Sequence, residues 1–503
     1  MLQGTGSSVG KSLLCAALCR LFLRRGLRVA PFKAQNMSNN AFVTRDGGEM
    51  SRAQVVQAAA AGLEPSVDMN PVLLKPEGER GSQVVLHGRV WGRLQARDFL
   101  ERKPLLWSAV EGSLRRLLDQ YELVVIEGAG SPAEINLRGG DIVNMRVAEA
   151  ADAPVLLVGD IDRGGVFASL VGTLELLAPA ELARVRGFVI NRFRGDPALL
   201  APGLDFLERR TGRPVLGVVP HLGDVGLADE DAVELERPDR PTNGLADGRT
   251  RIAAIKLPRV ANFDDLDPLR AAGAEVVWVD RPSRLGRPDL IVLPGSKNTA
   301  EDLAWLQAGG LGAAIVELVD RGTPILGICG GYQMLGDQVA DPHGVESDRR
   351  LTPGLGLLPV KTVLEAAKTT RQVQGRIRRV RGLFAGAGGF AASGYEIHVG
   401  QTSGRGEPLI ELDEPTGPRP DGHTARSGWV VGTYVHGLLH CPGLAAALLH
   451  SLASRRAGMS IDGPLMPTDA PARIDPYERL ADQVEAALDL PRLFALVGLE
   501  LAT

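Results

Sequence analysis

Short runs of residues that are apolar at nearly every position recur along the chain, and helical stretches separate them. A strand that is apolar on both faces is covered by helices on both sides, so these runs predict parallel sheets. The runs form two sets, which predicts an α/β fold with two parallel-sheet domains. The predicted strands are Val29–Phe32, Leu123–Glu127, Pro154–Val158, Gly187–Ile190 and Val215–Val219 in the first set, and Ile252–Leu257, Glu275–Val279, Leu290–Leu293, Ile325–Ile328 and Val430–Tyr434 in the second.

The stretch between the two sets is acidic and then rich in proline, asparagine and glycine, which is typical of a linker. Near the C-terminus, Asp475 followed by Pro476 predicts the start of a helix. The polar segment 402–426, rich in glycine and proline, predicts a surface excursion. We therefore expect a first domain over 1–225, a linker over 226–250, a second domain over 251–450, and a helical tail over 451–503 that packs on the second domain.

Composition excludes several classes of protein. The 503 residues are 44% hydrophobic and 23% charged, with a net charge of −4, which excludes a disordered chain and argues against a nucleic-acid partner. Four cysteines without a C-x-x-C pair predict neither a disulfide framework nor a zinc site. No apolar run approaches the roughly 18 residues that span a bilayer, and no signal-peptide pattern opens the chain. We expect no membrane partner and a cytoplasmic location.

A glycine-rich segment precedes the first helical pattern. Its glycines allow backbone N–H groups to surround phosphate oxygens, while the lysine adds charge and the serine hydroxyl can ligate Mg²⁺. Counted from Gly4, the loop is one residue longer than the standard phosphate loop, and the chain begins too close to it for a full preceding strand. The alternative is a simple Gly/Ser turn. The predicted nucleotide-binding residues here are Gly4, Thr5, Gly6, Ser7, Val9, Gly10, Lys11 and Ser12.

Charged residues follow other predicted strands of the first set. Glu127 ends a buried strand, where an acid can hold Mg²⁺ against a triphosphate, and Lys33 follows another strand, where it could meet a transferring phosphoryl group. Asp160 and Asp162 follow a third strand. Because the carboxyl ends of parallel strands share one edge of a sheet, these side chains are expected around one crevice.

The segment Gly327-Ile-Cys329-Gly330-Gly331 runs from a predicted strand to a predicted helix. G-x-C-x-G is the thiol counterpart of the nucleophile elbow, whose backbone N–H groups stabilise an oxyanion. The alternative is a buried structural cysteine.

A thiolate needs a base, and His436 ends a late strand, so we predict that it is the base. Gly295, after another strand, could offer a second oxyanion donor. His398 is a competing base, but we expect it in a binding loop.

These residues resemble known families. The elbow and the late histidine resemble a class I glutamine amidotransferase domain of flavodoxin-like fold, and the first half resembles the dethiobiotin-synthetase-like P-loop ligases. Nearly the whole chain is similar to the cobyric acid synthase family. The motifs that carry this resemblance are F-K-A-Q-N-M-S (32–38), E-G-A-G-S-P-A-E-I-N-L (127–137), D-I-D-R-G-G-V-F-A (160–168), V-I-N-R-F-R-G-D (189–196) and G-Y-E-I-H-V-G (394–400).

The resemblance implies an enzyme that amidates adenosylcobyrinic acid a,c-diamide at its b, d, e and g carboxylates, using glutamine, ATP and Mg²⁺. No tightly bound organic cofactor is expected, and a homo-oligomer is left open. By resemblance, Cys329 attacks the glutamine amide and His436 is its base. Class I domains carry a glutamate two residues after the histidine, and here that residue is Leu438, so a Cys–His dyad is expected.

The resemblance also implies roles for further residues. They are Lys33, Asn191 and Arg192 at the nucleotide, Ser12, Asp46 and Glu127 at the metal, and Gly295, Gly330 and Tyr395 in the oxyanion and glutamine site.

Three alternatives remain open at the level of sequence. The nearest is another ligase of the same build, such as cobyrinic acid a,c-diamide synthase or an enzyme that amidates cell-wall precursors. The second is a non-catalytic ParA-like nucleotide switch, which predicts no glutaminase activity. The third, a cysteine peptidase-like second half, leaves the phosphate loop without a purpose.

Overall fold

The computed structural model describes residues 1–77, 81–223, 226–227, 249–459 and 475–499, without the side chains of 96–101. The chain forms two compact units. The first contains Met1–Ser38, the chain from Glu49 onward as far as the predicted linker, and the C-terminal segment. The second contains Asn39–Gly48 and the chain after the linker. Most of the predicted linker lies outside the described residues.

A parallel sheet forms the centre of the first unit, and every predicted strand of the first set is present in it. The short strand before the phosphate loop is present as well and pairs with the strand Val155–Asp160. A parallel bridge from Leu2 to Glu127 joins two further strands to it. In spatial order the strands are Val29–Phe32, Leu123–Ile126, Leu2–Gly4, Val155–Asp160, Val185–Phe193 and Val215–Pro220.

The other elements of the first unit cover this sheet or extend it. A smaller sheet contains Gln35–Met37, Val72–Pro76, Gly81–Leu86 and Arg89–Gln95. The α-helices are Lys11–Arg24, Arg52–Ala60, Ala96–Gln120, Met145–Ala150, Val166–Glu175, Pro179–Arg184, Ala201–Thr211, Pro476–Glu485 and Leu490–Leu496. The short strand Glu49–Ser51 and the 3-10 helices Val67–Met69, Arg138–Gly140 and Pro197–Leu199 complete the described elements.

The second unit has its own parallel sheet, and the predicted strands of the second set form it. In spatial order they are Glu275–Val279, Arg251–Ile255, Leu290–Leu293, Ile325–Ile328 and Val430–Thr433, with His423–Thr424 antiparallel at the edge. Its α-helices are Asp267–Ala271, Thr299–Ala308, Leu311–Asp320, Gly330–Leu335 and Leu444–Arg456, and its 3-10 helices are Phe263–Leu266, Pro282–Arg284, Gly382–Ala387 and Leu438–His440.

A mainly antiparallel sheet in the second unit was not predicted. Two long strands, Val360–Ile377 and Ala391–Gly404, pair along most of their length. The predicted excursion 402–426 contributes strands to this sheet, so it is more ordered than expected. The remaining strands of the unit are Ala41–Val43, Val260–Ala261, Gly295–Ser296, Gln338–Ala340, Leu351–Pro353, Ile410–Leu412 and Arg419–Asp421.

The C-terminal helices correct the predicted domain organisation, because they pack in the first unit rather than on the second. Asp475 caps the helix Pro476–Glu485 as predicted, and its side chain accepts a hydrogen bond from the backbone N–H of Tyr477. Leu480 and Val484 are fully buried in the apolar core that contains the phosphate-loop helix Lys11–Arg24.

Apolar burial holds this helix on the first unit, and a row of charge pairs accompanies it. The phosphate-loop helix ends in arginines that meet a row of acids on the C-terminal helix. The pairs are Arg20–Asp475 at 2.5 Å, Arg24–Asp482 at 2.6 Å and Arg25–Glu485 at 2.5 Å. The amphipathic pattern alone shows that a helix packs somewhere, whereas the partner depends on these long-range contacts.

Leu480→Asp should loosen the phosphate-loop helix. Burying a carboxylate without a partner costs several kcal/mol, so we expect the helix pair to open with a loss of about 3 kcal/mol or more. Hydrogen–deuterium exchange should rise in Lys11–Arg24 and stay unchanged in the strand Ile325–Ile328 of the other unit. Asp482→Asn, which breaks an exposed pair worth at most about 1 kcal/mol, is the control. Equal exchange in the two variants would contradict the packing described here.

Within the described ranges, no single helix is long and apolar enough to cross a membrane; Thr299–Ala308 and Leu311–Asp320 meet that test only as a pair bent by 82°.

Candidate functional site

Cys329 occupies the predicted elbow. It lies between the strand Ile325–Ile328 and the helix Gly330–Leu335, with φ 52° and ψ −108°, a backbone conformation that L-residues rarely adopt. Its N–H donates to the carbonyl of Thr433 at 2.8 Å. A Cβ on Gly331 would lie 2.0 Å from the carbonyl oxygen of Leu293, so a glycine is required there. Strain of this kind is typical of a nucleophile held at a strand-to-helix turn.

His436 follows the strand Val430–Thr433, and its partner was missed by sequence reasoning. Its Nδ1 lies 2.7 Å from Oδ2 of Asp265, whose Oδ1 accepts the backbone N–H of Gly437 at 2.6 Å. Both side chains are buried. Asp265 thus takes the place of the glutamate that Leu438 cannot supply, and the expected dyad is corrected to a Cys–His–Asp arrangement.

The electrostatics of this arrangement favour a charged imidazole. Burial would lower the pKa of His436, but the negative charges of Asp265 and Cys329, with the hydrogen bonds that the ring donates to them, outweigh it and raise the pKa to about 10. A proton held on His436 at neutral pH stabilises a neighbouring thiolate, which is the nucleophilic form of cysteine.

The predicted oxyanion loop packs against the elbow. A Cβ on Gly295 would lie 2.9 Å from Cε1 of His436, and a Cβ on Gly330 would lie 2.9 Å from the backbone nitrogen of Ser296. The structure therefore brings Gly295 and Gly330 together with the histidine. The first-turn N–H of Gly330 has no partner inside its helix, which suits an oxyanion donor.

Tyr395 also contacts His436. The two rings stack with centroids 5.5 Å apart, and the two backbones exchange hydrogen bonds of 3.0 and 2.9 Å. The Tyr395 hydroxyl accepts from Asn262 Nδ2 at 2.9 Å. Tyr395 therefore fixes the position of the histidine ring.

His398 lies two residues after Glu396 in the motif 394–400. Its Nδ1 bonds to the carbonyl of Gly400 at 2.8 Å, and its ring stacks on Tyr434 at 3.8 Å. Burial lowers the pKa of His398 to about 4. A ring so hard to protonate is a poor general base, so His436 is the better candidate.

The phosphate loop of the first unit surrounds the side chain of Lys11. Its Nζ donates to the carbonyls of Gly6 at 3.1 Å and Gly130 at 3.4 Å, and a Cβ on Gly4 would lie 2.9 Å from it. Gly10, with φ 92°, is the N-cap of the helix that begins at this lysine. The loop backbone thus lies close around the Lys11 ammonium group, which is the arrangement that binds a phosphate.

Glu127 accepts hydrogen bonds from other predicted residues of the nucleotide site. Its Oε1 accepts from Ser12 Oγ at 2.9 Å and from Lys33 Nζ at 2.8 Å. Its Oε2 accepts from Gln57 Nε2 at 2.6 Å. Burial would raise the pKa of Glu127, but the charges of Lys33 and Lys11 and the hydrogen bonds from Lys33 and Gln57 together outweigh it and lower the pKa. Sequence reasoning missed Gln57, which is fully buried on the helix Arg52–Ala60.

The side chains of Ser12 and Glu127 offer the hard oxygen ligands that Mg²⁺ prefers. Among the described residues no group of three or more His, Cys, Asp and Glu is arranged to hold a metal ion. Mg²⁺ is commonly held by one or two protein groups and the phosphates of its substrate, so two groups fit. Asp46 belongs to the second unit, where it accepts a hydrogen bond from Thr44, and its metal role stays a prediction.

Asn191 and Arg192 end the strand Val185–Phe193 beside the phosphate loop. Asn191 Nδ2 donates to the carbonyl of Val9 at 2.8 Å. Arg192, at φ 63°, reaches the buried Asp160 at 2.9 Å. Asp160 therefore lies in the predicted crevice, whereas the exposed Asp162 pairs with Arg194.

Comparison with known proteins also divides the chain into a nucleotide-binding part and a glutamine amidotransferase part. Residues 1–234 match the family model of the CobQ/CobB/MinD/ParA nucleotide binding domain, and 251–442 match that of the CobB/CobQ-like glutamine amidotransferase domain. Among solved structures, the chain is similar to PurLQS from Thermotoga maritima, with a TM-score of 0.33 and 18% identity over 41% of this chain and 99% of that one.

Curated relatives are similar over nearly their whole length. The cobyric acid synthase of Sorangium cellulosum is 52% identical, over 99% of this chain and 98% of the relative. That of Moorella thermoacetica is 50% identical, over 99% of this chain and 97% of the relative. That of Herpetosiphon aurantiacus is 48% identical, over 100% of this chain and 98% of the relative. With two family models that together span most of its length and relatives at about half identity, the chain belongs to the cobyric acid synthase family.

Proposed function

We propose that the protein amidates the b, d, e and g carboxylates of adenosylcobyrinic acid a,c-diamide with nitrogen from glutamine, at the expense of ATP. The observation that carries the proposal is the buried Cys329–His436–Asp265 arrangement, which equips one unit to release ammonia. The Lys11–Ser12–Glu127 site supports carboxylate activation in the other unit. The family membership supports the corrinoid substrate.

In the glutaminase reaction, the Cys329 thiolate attacks the side-chain carbonyl carbon of glutamine. Backbone N–H groups near Gly330 and Gly295 stabilise the oxyanion. His436 gives its proton to the leaving nitrogen, ammonia departs, and a thioester remains. Water activated by His436 then hydrolyses the thioester, which releases glutamate and restores the thiol. Asp265 holds Nδ1 of the ring throughout, so that Nε2 faces the reaction.

In the ligase reaction, the substrate carboxylate attacks the terminal phosphorus of ATP, and ADP leaves. Ammonia then displaces phosphate from the acyl phosphate to give the amide. Lys11 and Lys33 stabilise charge on the transferring group. Ser12 and Glu127 would hold Mg²⁺, which supplies further positive charge to the phosphates when bound.

Corrinoid-dependent ATP hydrolysis tests the proposal. With glutamine present, the a,c-diamide should stimulate ATP hydrolysis, and mass spectrometry of the corrinoid should show four added amides with one ATP consumed for each. Stimulation by the unamidated corrinoid acid instead would identify an a,c-diamide synthase. Hydrolysis that no corrinoid affects would contradict the proposal, and absence of glutaminase activity would favour the nucleotide switch.

Gln57→Leu should weaken the nucleotide site. It removes the donor to Glu127 Oε2, and leaving a buried acceptor unpaired costs about 1–3 kcal/mol, so we expect kcat/KM for ATP to fall about tenfold. Steady-state ATP hydrolysis is the measurement. Gln54→Leu, equally buried on the same helix but bonded to Asn36, controls for packing. Equal losses in both variants would contradict a specific role for Gln57.

A further inference from the structure

The side chain of Glu396 is a buried carboxylate that the glutaminase mechanism does not use. It lies on the strand Ala391–Gly404, beside the nucleophile, because the next residue, Ile397, places its carbonyl oxygen 3.6 Å from Cys329 Sγ. The motif Y-E-I-H thus passes directly by the reacting thiol. Glu396 is 1% exposed, which is rare for a carboxylate that is not fully paired.

Only one of the two oxygens of Glu396 is satisfied by arginine. Oε2 accepts from Arg371 Nε at 2.6 Å and from Arg419 Nη2 at 2.7 Å. Oε1 is buried and has no hydrogen-bond partner among the described residues. Buried polar atoms are nearly always paired, so an orphaned carboxylate oxygen points to a donor that arrives with a ligand.

The atom that faces this oxygen is also an acceptor. His398 Nε2 lies 4.0 Å from Glu396 Oε1, beyond hydrogen-bond distance. A carbonyl such as that of Gly400 can only accept, so Nδ1 of His398 must carry the proton of the neutral ring. Nε2 is then left with a lone pair. Two acceptors therefore face one another, and a group with several N–H donors would satisfy both.

We propose that Glu396 Oε1 and His398 Nε2 form a binding site for a primary ammonium group. An –NH₃⁺ group has three donors and a positive charge, and a buried carboxylate beside a neutral imidazole complements both. The site rests on the proposed glutaminase reaction, which offers two such groups: the α-ammonium of glutamine and the ammonium that the reaction releases. In the first case the site selects α-amino acid amides over simple amides.

Glu396→Gln, assayed in the full-length enzyme, tests this site. The variant should raise KM for L-glutamine about tenfold or more, because a buried charge pair is lost. KM for glutaramate, the same amide without the α-amino group, should not change. Glu411→Gln, which removes an exposed carboxylate paired with Arg378, is the matched control and should leave both values unchanged.

The released ammonium is tested separately, by supplying ammonium chloride in place of glutamine. An increase in KM for ammonium, with KM for glutamine unchanged, would assign the site to released ammonium. If Glu396→Gln does not fold, His398→Phe keeps the stack on Tyr434 and removes the Nε2 acceptor. If the enzyme is active and neither variant changes KM for glutamine or KM for ammonium by more than twofold, the proposed site is wrong and the proposed function still stands. A wild type without glutaminase activity overturns the proposed function and the site with it.

Discussion

Cys329→Ala should abolish amidation driven by glutamine and leave amidation driven by ammonium salts intact. The substitution removes the sulfur that forms the thioester, and no other described side chain is held in the elbow to replace it. The ligase unit has its own core and its own catalytic groups, so ammonia from solution should still displace phosphate there.

The experiment compares corrinoid amidation with glutamine and with ammonium chloride in wild type and variant. Cys441→Ala, a second buried cysteine of the same unit, is the control and should keep glutamine-driven activity. Loss of both activities in Cys329→Ala would contradict the division of labour between the two units. Retention of glutamine-driven activity would exclude Cys329 as the nucleophile.

Asp265→Asn should lower kcat of the glutaminase reaction by a factor on the order of 10⁴, the loss seen when a catalytic histidine loses its orienting carboxylate. The amide cannot stabilise the imidazolium, so the pKa of His436 should fall from about 10. Because the protonated ring donates to leaving ammonia, the alkaline limb of the pH–rate profile should move to lower pH. Ammonia-driven amidation should not change.

Glutaminase rates across the pH range provide the measurement. Asp267→Asn, two residues further along the chain, is the control, since Asp267 pairs with Arg270 instead of the histidine. A variant Asp265→Asn with wild-type kcat would show that the contact with His436 has no catalytic consequence.

Local patterns were enough to predict the two parallel sheets, the phosphate loop and the elbow. A strand buried on both faces is visible as an unbroken apolar run, and a glycine beside a lysine or cysteine reports a tight turn at one place in the chain. These features depend on residues that are neighbours along the chain, so they can be predicted from a single sequence.

Contacts between distant residues could not be predicted in this way. Asp265 and His436 are 171 positions apart, and the pair of adjacent aspartates at 264–265 was the one available signal. Gln57 has no local feature that marks it. The apolar face of the C-terminal helix was predictable, but its partner was not, because the apolar side chains and arginines of Lys11–Arg24 that it contacts are distant in sequence.

The helix Pro476–Glu485 also sets the order in which the protein can mature. On the ribosome, the strands and phosphate loop of the first unit emerge long before this helix, and all of the second unit except Asn39–Gly48 is translated in between. Until synthesis reaches Leu480 and Val484, the part of the apolar surface of Lys11–Arg24 that they cover is exposed to aggregation or to chaperones. The ATP-binding unit therefore becomes complete last, although most of its residues are made first.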